Sequence, residues 1–257
     1  MTITRYLHTF LDIFYPRYCV HCKCSLNNSY EMYICEDCKK KISYVIDTHC
    51  SRCGTILGPY TIKSKETGCL VCKSKHFYFD KVTCITHYDG VVKTLIYKFK
   101  YAGQKFLFNA LYDIINTQNK FNGLVSDIDI IVPVPLHWMK ELRRGFNQSE
   151  ILSYGIQKHF LKPVIKNNLR RIRNTKAQTL LTKGQRKINI KNAFSVKSPE
   201  LFKGKNVLLV DDVLTTGMTA SECSRKLKES GAKFIHLFVI ATAEYNHDLN
   251  CISYRHR

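Results

Sequence analysis

The chain has 257 residues and a mass of 29.9 kDa, with 45% hydrophobic and 12% aromatic side chains. That allows one or two domains with a sizeable core and is too apolar for a disordered or low-complexity chain. Forty Lys and Arg against 20 Asp and Glu leave a net charge of +20, which suits polyanions such as phosphates, pyrophosphate or nucleic acid. The excess is concentrated: residues 140–191 hold 14 basic and 2 acidic side chains. A solvated basic surface is the plainer reading of the same charge.

The first 18 residues read as a short amphipathic helix, since His8 and Asp12 interrupt the apolar run and no small-residue cleavage site follows. No apolar run approaches the ~18 residues of a spanning helix, so a cytoplasmic protein without a membrane span is expected. Ten of the twelve Cys fall within residues 19–84, and eight form CxxC pairs: Cys19/Cys22, Cys35/Cys38, Cys50/Cys53 and Cys69/Cys72. Two CxxC turns offer four thiolates, enough to close a tetrahedron around Zn²⁺. A disulfide framework needs an oxidising compartment, and a single redox pair does not explain four motifs. Two structural Zn²⁺ sites are therefore expected, paired in sequence order or interleaved. They would staple a segment too poor in apolar periodicity to hold itself together. His21 and Cys24 are read as bystanders, and Cys84 and Cys223 as core residues.

From residue 81 strands and helices alternate. VTCITHYDG reads as a strand, VVKTLIYKFKY as a helix, 105–118 as a second helix, and IDIIVPVPL as a buried strand ending in a Pro-rich turn. Residues 147–159 read as a helix capped by Asn147 or Ser149. KNVLLVDDV is a strand, 219–230 a helix closed by Gly231, and KFIHLFVIATA a last strand. This order predicts a doubly wound parallel sheet. The organisation expected is a ribbon module over 1–80 and an α/β domain over 81–257.

The informative segment is VLLVDDVLTTGMT, residues 207–219. An apolar strand runs into Asp211 and Asp212, and a loop of small residues then leads to a helix. Backbone N–H groups and the helix dipole favour an anion there, and Thr215, Thr216 and Thr219 add hydroxyls around Gly217. Two carboxylates beside a phosphate cradle suit the vicinal hydroxyls and the phosphate of a ribose 5-phosphate. An Asp that merely caps the helix is the alternative, and two consecutive acids fit it poorly.

This stretch resembles the PRPP (5-phosphoribosyl-1-pyrophosphate) fingerprint of type I phosphoribosyltransferases. With KFKYAG (98–103), PVPLHWMKELRRGFNQSE (133–150), LRRIRNTKAQTLLTKGQRKINIKNAF (169–194) and the Cys pairs, the chain resembles the ComF family of competence-associated, phosphoribosyltransferase-like proteins. The resemblance implies that Asp211 and Asp212 bind the ribose hydroxyls and that Thr215, Thr216, Gly217 and Thr219 bind the 5-phosphate. It places Pro133, Val134, Pro135 and Leu136 in the pyrophosphate loop, where few backbone N–H groups are on offer. Residues 171–187 take the place of a catalytic lid, with Arg171, Arg173, Lys176 and Arg186 as charge clamps. Arg143, Arg144, Asn147 and Gln148 would line the site, and Mg²⁺ would accompany PRPP.

Three functions are compatible with these residues. The first is an enzyme that displaces pyrophosphate from PRPP with a nitrogen nucleophile, although no nucleobase pocket is legible. The second is a PRPP- and single-stranded-DNA-binding protein of DNA uptake, acting with a competence helicase or other uptake proteins. Its strand contacts would be Arg143, Arg144, Arg170, Arg171, Arg173, Lys176 and Arg186, with Phe146, Tyr154 and Phe160 as nearby aromatics. In the enzyme, Phe146 and Trp138 would be the rings that stack on a base, and core packing explains them as well. The third is a PRPP-responsive regulator without turnover.

Overall fold

A computed structural model of the chain describes residues 18–26, 33–45, 49–55, 57, 68–70, 72, 75–101, 103–117, 128–175 and 190–243. The expected N-terminal helix and the lid residues beyond 175, Lys176 and Arg186 among them, lie outside the described residues. The elements, in chain order, are α1 (Glu36–Lys40), β1 (Lys81–His87), α2 (Gly90–Tyr101), α3 (Phe108–Asn116) and β2 (Ile130–Pro133). There follow α4 (Trp138–Arg144), α5 (Gln148–Phe160), β3 (Leu169–Arg171), β4 (Phe194–Val196), β5 (Asn206–Leu214), α6 (Met218–Glu229) and β6 (Phe234–Thr242). No helix among the described residues is long and apolar enough to cross a membrane.

Four strands form one parallel sheet in the order β1-β6-β5-β2. Alternate side chains of each strand point to opposite faces. Leu208 and Val210 pack with α2, α3 and α5 on one face. Val207 and Leu209 pack with α6 and the β3–β4 hairpin on the other. Helices therefore cover both faces, as expected for buried parallel strands. Because α5 follows β2 on one face and α6 follows β5 on the other, the chain parts above neighbouring strands. Such a switch point at the carboxyl ends of strands is where this architecture binds ligands.

Helix bounds follow from local chemistry. Asn147 caps α5 by accepting from Ser149 N at 3.0 Å. The segment expected as one helix over 105–118 begins instead as a 3₁₀ turn at Lys105–Leu107 and becomes α-helical at Phe108. Besides the short α1, which carries Cys38, the β3–β4 hairpin and α4 went unread in the sequence. The β3–β4 hairpin has three-residue strands too short for a periodic signal, and α4 buries no side chain.

The cysteine region is joined to the sheet. Val45 N donates to Ile85 O at 2.9 Å, and His87 N to Ser43 O at 2.9 Å, so residues 43–45 continue the sheet beyond the edge of β1. Cys84 and Cys223 are fully buried in the core.

Candidate functional site

The eight CxxC thiols form two sets in sequence order: Cys19, Cys22, Cys35 and Cys38, then Cys50, Cys53, Cys69 and Cys72. Within each set all sulfurs lie within 4.8 Å of one another, which settles the pairing as sequential. A Zn–S bond of about 2.3 Å in a regular tetrahedron requires sulfur pairs about 3.8 Å apart. Cys22–Cys35 measures 3.6 Å, Cys50–Cys72 3.7 Å and Cys53–Cys69 3.5 Å. The residues therefore fit Zn²⁺. His21 is turned away, its Nδ1 2.9 Å from Thr94 Oγ1, and Cys24 lies 3.4 Å from Cys22 but outside the four-sulfur set.

The carboxyl ends of β2 and β5 open into a cavity of about 610 Å³. The acid pair forms one side. Asp212 is buried, and its Oδ2 lies 2.7 Å from Lys100 Nζ at the last turn of α2. Burial disfavours the ammonium, but Asp212 and then Asp211 outweigh it and hold Lys100 above its ordinary pKa. Asp211 Oδ1 accepts from Ser149 Oγ at 3.1 Å and from Asp212 N at 2.9 Å. Burial, and next the Asp212 charge, push Asp211 up to about 7 against the pull of Lys100.

The loop after β5 forms the floor. Gly217 is the N-cap of α6 at φ +73°, and a Cβ there would come within 2.9 Å of Phe77 Cε1, so this position requires glycine. Thr215 is exposed and lines the cavity with Gly217 and Thr219. Thr216 is 6% exposed, and its Oγ1 has no partner among the described residues. An unsatisfied buried hydroxyl is costly, so this one indicates a missing acceptor at the helix N-terminus.

Cations form the opposite wall. The turn 133–136 has little to offer by itself: Pro133 and Pro135 lack N–H groups, and Val134 N already donates to Val210 O at 2.9 Å. Leu136 is the segment's one candidate donor. Charge comes instead from Lys140, Arg143 and Arg144 on α4 and from Arg171 on β3. Burial, then Arg171, Arg144 and Arg143, draw Lys140 below its ordinary pKa. Arg171 is drawn down mainly by its burial, and its Nε has no partner among the described residues. Its Nη2 donates to Thr175 Oγ1 and its guanidinium lies over the Phe194 ring, and no carboxylate pairs with it among the described residues, which leaves donors on offer to an anion.

The RGFNQS segment ties the walls together. Asn147 Nδ2 donates to Val134 O at 3.2 Å and pins the turn. Gln148 accepts from Arg144, and Ser149 holds Asp211. Of the expected site residues, Asp211, Asp212, Thr215, Gly217, Thr219, Val134, Pro135, Leu136, Arg143, Arg144 and Arg171 meet at this cavity, with Thr216 beneath it. Pro133 and Arg170 face a second cavity, while exposed Arg173 donates to Lys191 O at 2.8 Å. Phe146 and Phe160 are core residues, buried with Phe99, so neither offers a base-stacking face. Trp138 and Tyr154 remain exposed.

Lys100 and Lys140 were missed as site residues. For Lys100 a signal existed: it stands four residues after Ile96 on the buried face of α2, where a charge needs a partner.

A parallel sheet with an acid pair and a phosphate-type loop at its switch point defines a phosphoribosyltransferase-like domain, here carrying two four-thiol ribbons. The Phosphoribosyl transferase domain family matches residues 142–249, and the Double zinc ribbon domain family matches residues 10–74. Competence protein F of Haemophilus influenzae is 32% identical over 230 residues, 88% of this chain and 96% of that protein. DNA utilization protein YhgH of Escherichia coli K12 is 28% identical over 80% of this chain and 89% of its own length. Competence protein ComFC of Bacillus subtilis is 25% identical over 77% and 79%. The chain belongs to the ComF family.

Proposed function

We propose that this protein binds PRPP in the β2–β5 cavity and single-stranded DNA on the adjoining basic surface, and that it serves DNA uptake in natural competence. The observation that carries the PRPP reading is the cavity's polarity. Carboxylates suited to a diol, the loop of Thr215, Gly217 and Thr219 at a helix N-terminus and a cationic wall face one another across a space of about 610 Å³. In this arrangement Asp211 accepts from a ribose hydroxyl, the 215–219 loop cradles the 5-phosphate, and Arg171, Lys140 and Arg144 balance pyrophosphate. Lys100 already neutralises Asp212, so Mg²⁺ in this reading enters on pyrophosphate oxygens rather than on a preformed carboxylate cage. The two thiol sets hold Zn²⁺ as structural staples, and residue 80 divides a stabilising half from a ligand-binding half.

DNA binding is supported by the exposed Arg143, Arg170 and Arg173 and by the names of the relatives, which describe competence and DNA utilization. The protein would work in the cytoplasm beside a competence helicase or other uptake proteins. Whether PRPP is turned over is read from pyrophosphate release with candidate amines and bases.

The test is calorimetric titration of PRPP with Mg²⁺ into the zinc-loaded chain. Thr216→Val removes one hydroxyl donor and is expected to weaken binding about tenfold, the loss of a charge-assisted hydrogen bond. Asp211→Asn is expected to weaken it further. Unchanged affinity in both variants removes PRPP from this cavity. For DNA, Arg170→Ala with Arg173→Ala should flatten the log–log salt slope of strand binding by about 1.4 if both touch phosphates. An equal slope places the strand elsewhere.

A further inference from the structure

A second cavity of about 450 Å³ lies on the other side of the pyrophosphate turn and shares Pro135, Leu136 and Arg171 with the first. Its walls are largely apolar: the prolines of the turn, Leu169 and Ile172. At its mouth Trp138 is 65% exposed and Ile172 58% exposed. The ring neighbour of Trp138 among the described residues, His137, lies tilted at 5.7 Å, so a large ring this open, beside an aliphatic side chain and over a cavity, still offers a stacking face. Inside are two carboxylates, Glu141 and Glu150, the latter 3.4 Å from Lys166 Nζ. Arg170, whose Nε donates to Asn167 O at 2.8 Å, and exposed Lys166 line the same cavity.

We infer that this cavity is a nucleobase site, in which one base of a single strand stacks on Trp138, turns its donor edge to Glu141 and leaves its phosphates to Arg170 and Lys166. The inference rests on the single-stranded-DNA reading and deepens it. The flat apolar slot suits any base, since every base has a π-face. The carboxylates are selective, because an ionised carboxylate only accepts hydrogen bonds. Guanine offers a ring N–H beside an exocyclic amine and pairs with a carboxylate in two bonds. Adenine and cytosine each offer one amine. Thymine places its single N–H between two carbonyl oxygens, which a carboxylate repels. The expected order is guanine, then cytosine and adenine, then thymine.

Trp138 is the only tryptophan in the chain, so its emission reports this site alone. The experiment titrates the zinc-loaded full-length protein with short thymidine strands carrying one central guanine, adenine, cytosine or thymine. Tryptophan emission and the anisotropy of a labelled strand are followed together. Binding should quench Trp138. The guanine strand should bind roughly tenfold more tightly than the all-thymine strand, the scale of one good bidentate base contact. Glu141→Gln should erase that preference while retaining strand binding. Trp138→Ala, an exposed side chain whose loss leaves the core intact, should weaken every strand about tenfold by anisotropy. Strands that bind by anisotropy without changing Trp138 emission, or with no order among bases, overturn the base site and leave DNA binding standing. No binding of any strand overturns both. Free GMP quenching Trp138 with the affinity of the guanine strand overturns the strand assignment in favour of a free nucleotide.

Discussion

The two thiol sets have the same four-cysteine ligand pattern but support different parts of the molecule. The first, around Cys19 and Cys35, is continuous with the core under α2, where Lys98 Nζ donates to Val20 O at 3.1 Å. It reaches the ligand cavity along α2, whose last turn carries Lys100 against Asp212. The second packs directly behind the phosphate loop. A Cβ on Gly54 would lie 2.7 Å from Leu214, and Phe77 packs against the Cys50, Cys53, Leu57 and Cys69 cluster on one side and Gly217 on the other. Tyr78 N donates to Ser221 Oγ at 3.2 Å on the first turn of α6. One ribbon therefore braces the acid-pair side at a distance and the other braces the 215–219 loop by contact, respectively the diol side and the phosphate side of the proposed PRPP site. Identical metal chemistry need not mean identical function.

The sharpest way to break that comparison is to remove one ligand from each set. Cys53→Ser should cost one Zn²⁺ per chain and loosen the loop, with PRPP affinity falling about a hundredfold. Cys22→Ser, at the exposed corner of the first set, should also cost one Zn²⁺ but change affinity no more than about threefold. Metal content and calorimetry on both variants decide it. Equal losses of affinity would mean that the ribbons act as one unit.

The next effect lies on the diol side. Lys100→Met leaves the Asp212 carboxylate buried without its cation, and breaking a buried pair by removing one partner costs about 3–5 kcal/mol. Lys100→Met with Asp212→Asn should recover most of that loss, because the double variant buries no unpaired charge. Denaturant midpoints measure both. A single variant as stable as the parent would show that Asp212 has another partner.

Gly217→Ala tests the contact on the phosphate side. The left-handed backbone alone costs a non-glycine residue about 1–2 kcal/mol, and the new Cβ meets Phe77. PRPP affinity should fall about tenfold, and Phe77→Leu should restore part of it by clearing the space. No restoration would mean that the backbone strain, and not the second ribbon, sets the loop.

Much of this was legible in the residues. Paired CxxC turns specify four-ligand sites by spacing, and an apolar strand running into Asp211, Asp212 and Thr-Thr-Gly specifies a ligand at a strand's end. What was not legible depends on distance through space. Lys100 meets Asp212 across 112 positions, and nothing in KFKYAG names its partner. Lys140 was lost among fourteen similar charges, because burial, which a basic run does not display, separates a clamp from a solvated lysine. The Phe77–Gly217 contact, which distinguishes the two ribbons, leaves no trace in either CxxC spacing.

The smallest effect concerns the diol side alone. Asp211 is pushed up to about 7 in the folded protein, from an ordinary value near 3.8. A carboxyl raised on folding takes up a proton that the unfolded chain releases. The free protein should therefore lose stability as pH rises from about 4 to about 7. Ligand binding should run the other way, since the ionised carboxylate accepts from a ribose hydroxyl more strongly. Raising the pH from 6 to 8 takes a group of pKa about 7 from roughly one-tenth to nine-tenths ionised, so PRPP affinity should rise up to about tenfold. The ligand's own phosphates titrate near pH 6, so the parent is compared with Asp211→Asn, which carries the same ligand terms but not this carboxyl. The difference between their pH profiles isolates Asp211. Cys53→Ser should keep that difference even where its overall affinity is low, because the second ribbon touches the phosphate side only. If Cys53→Ser instead flattens the profile as Asp211→Asn does, the two sides of the cavity are coupled and the division between the ribbons fails.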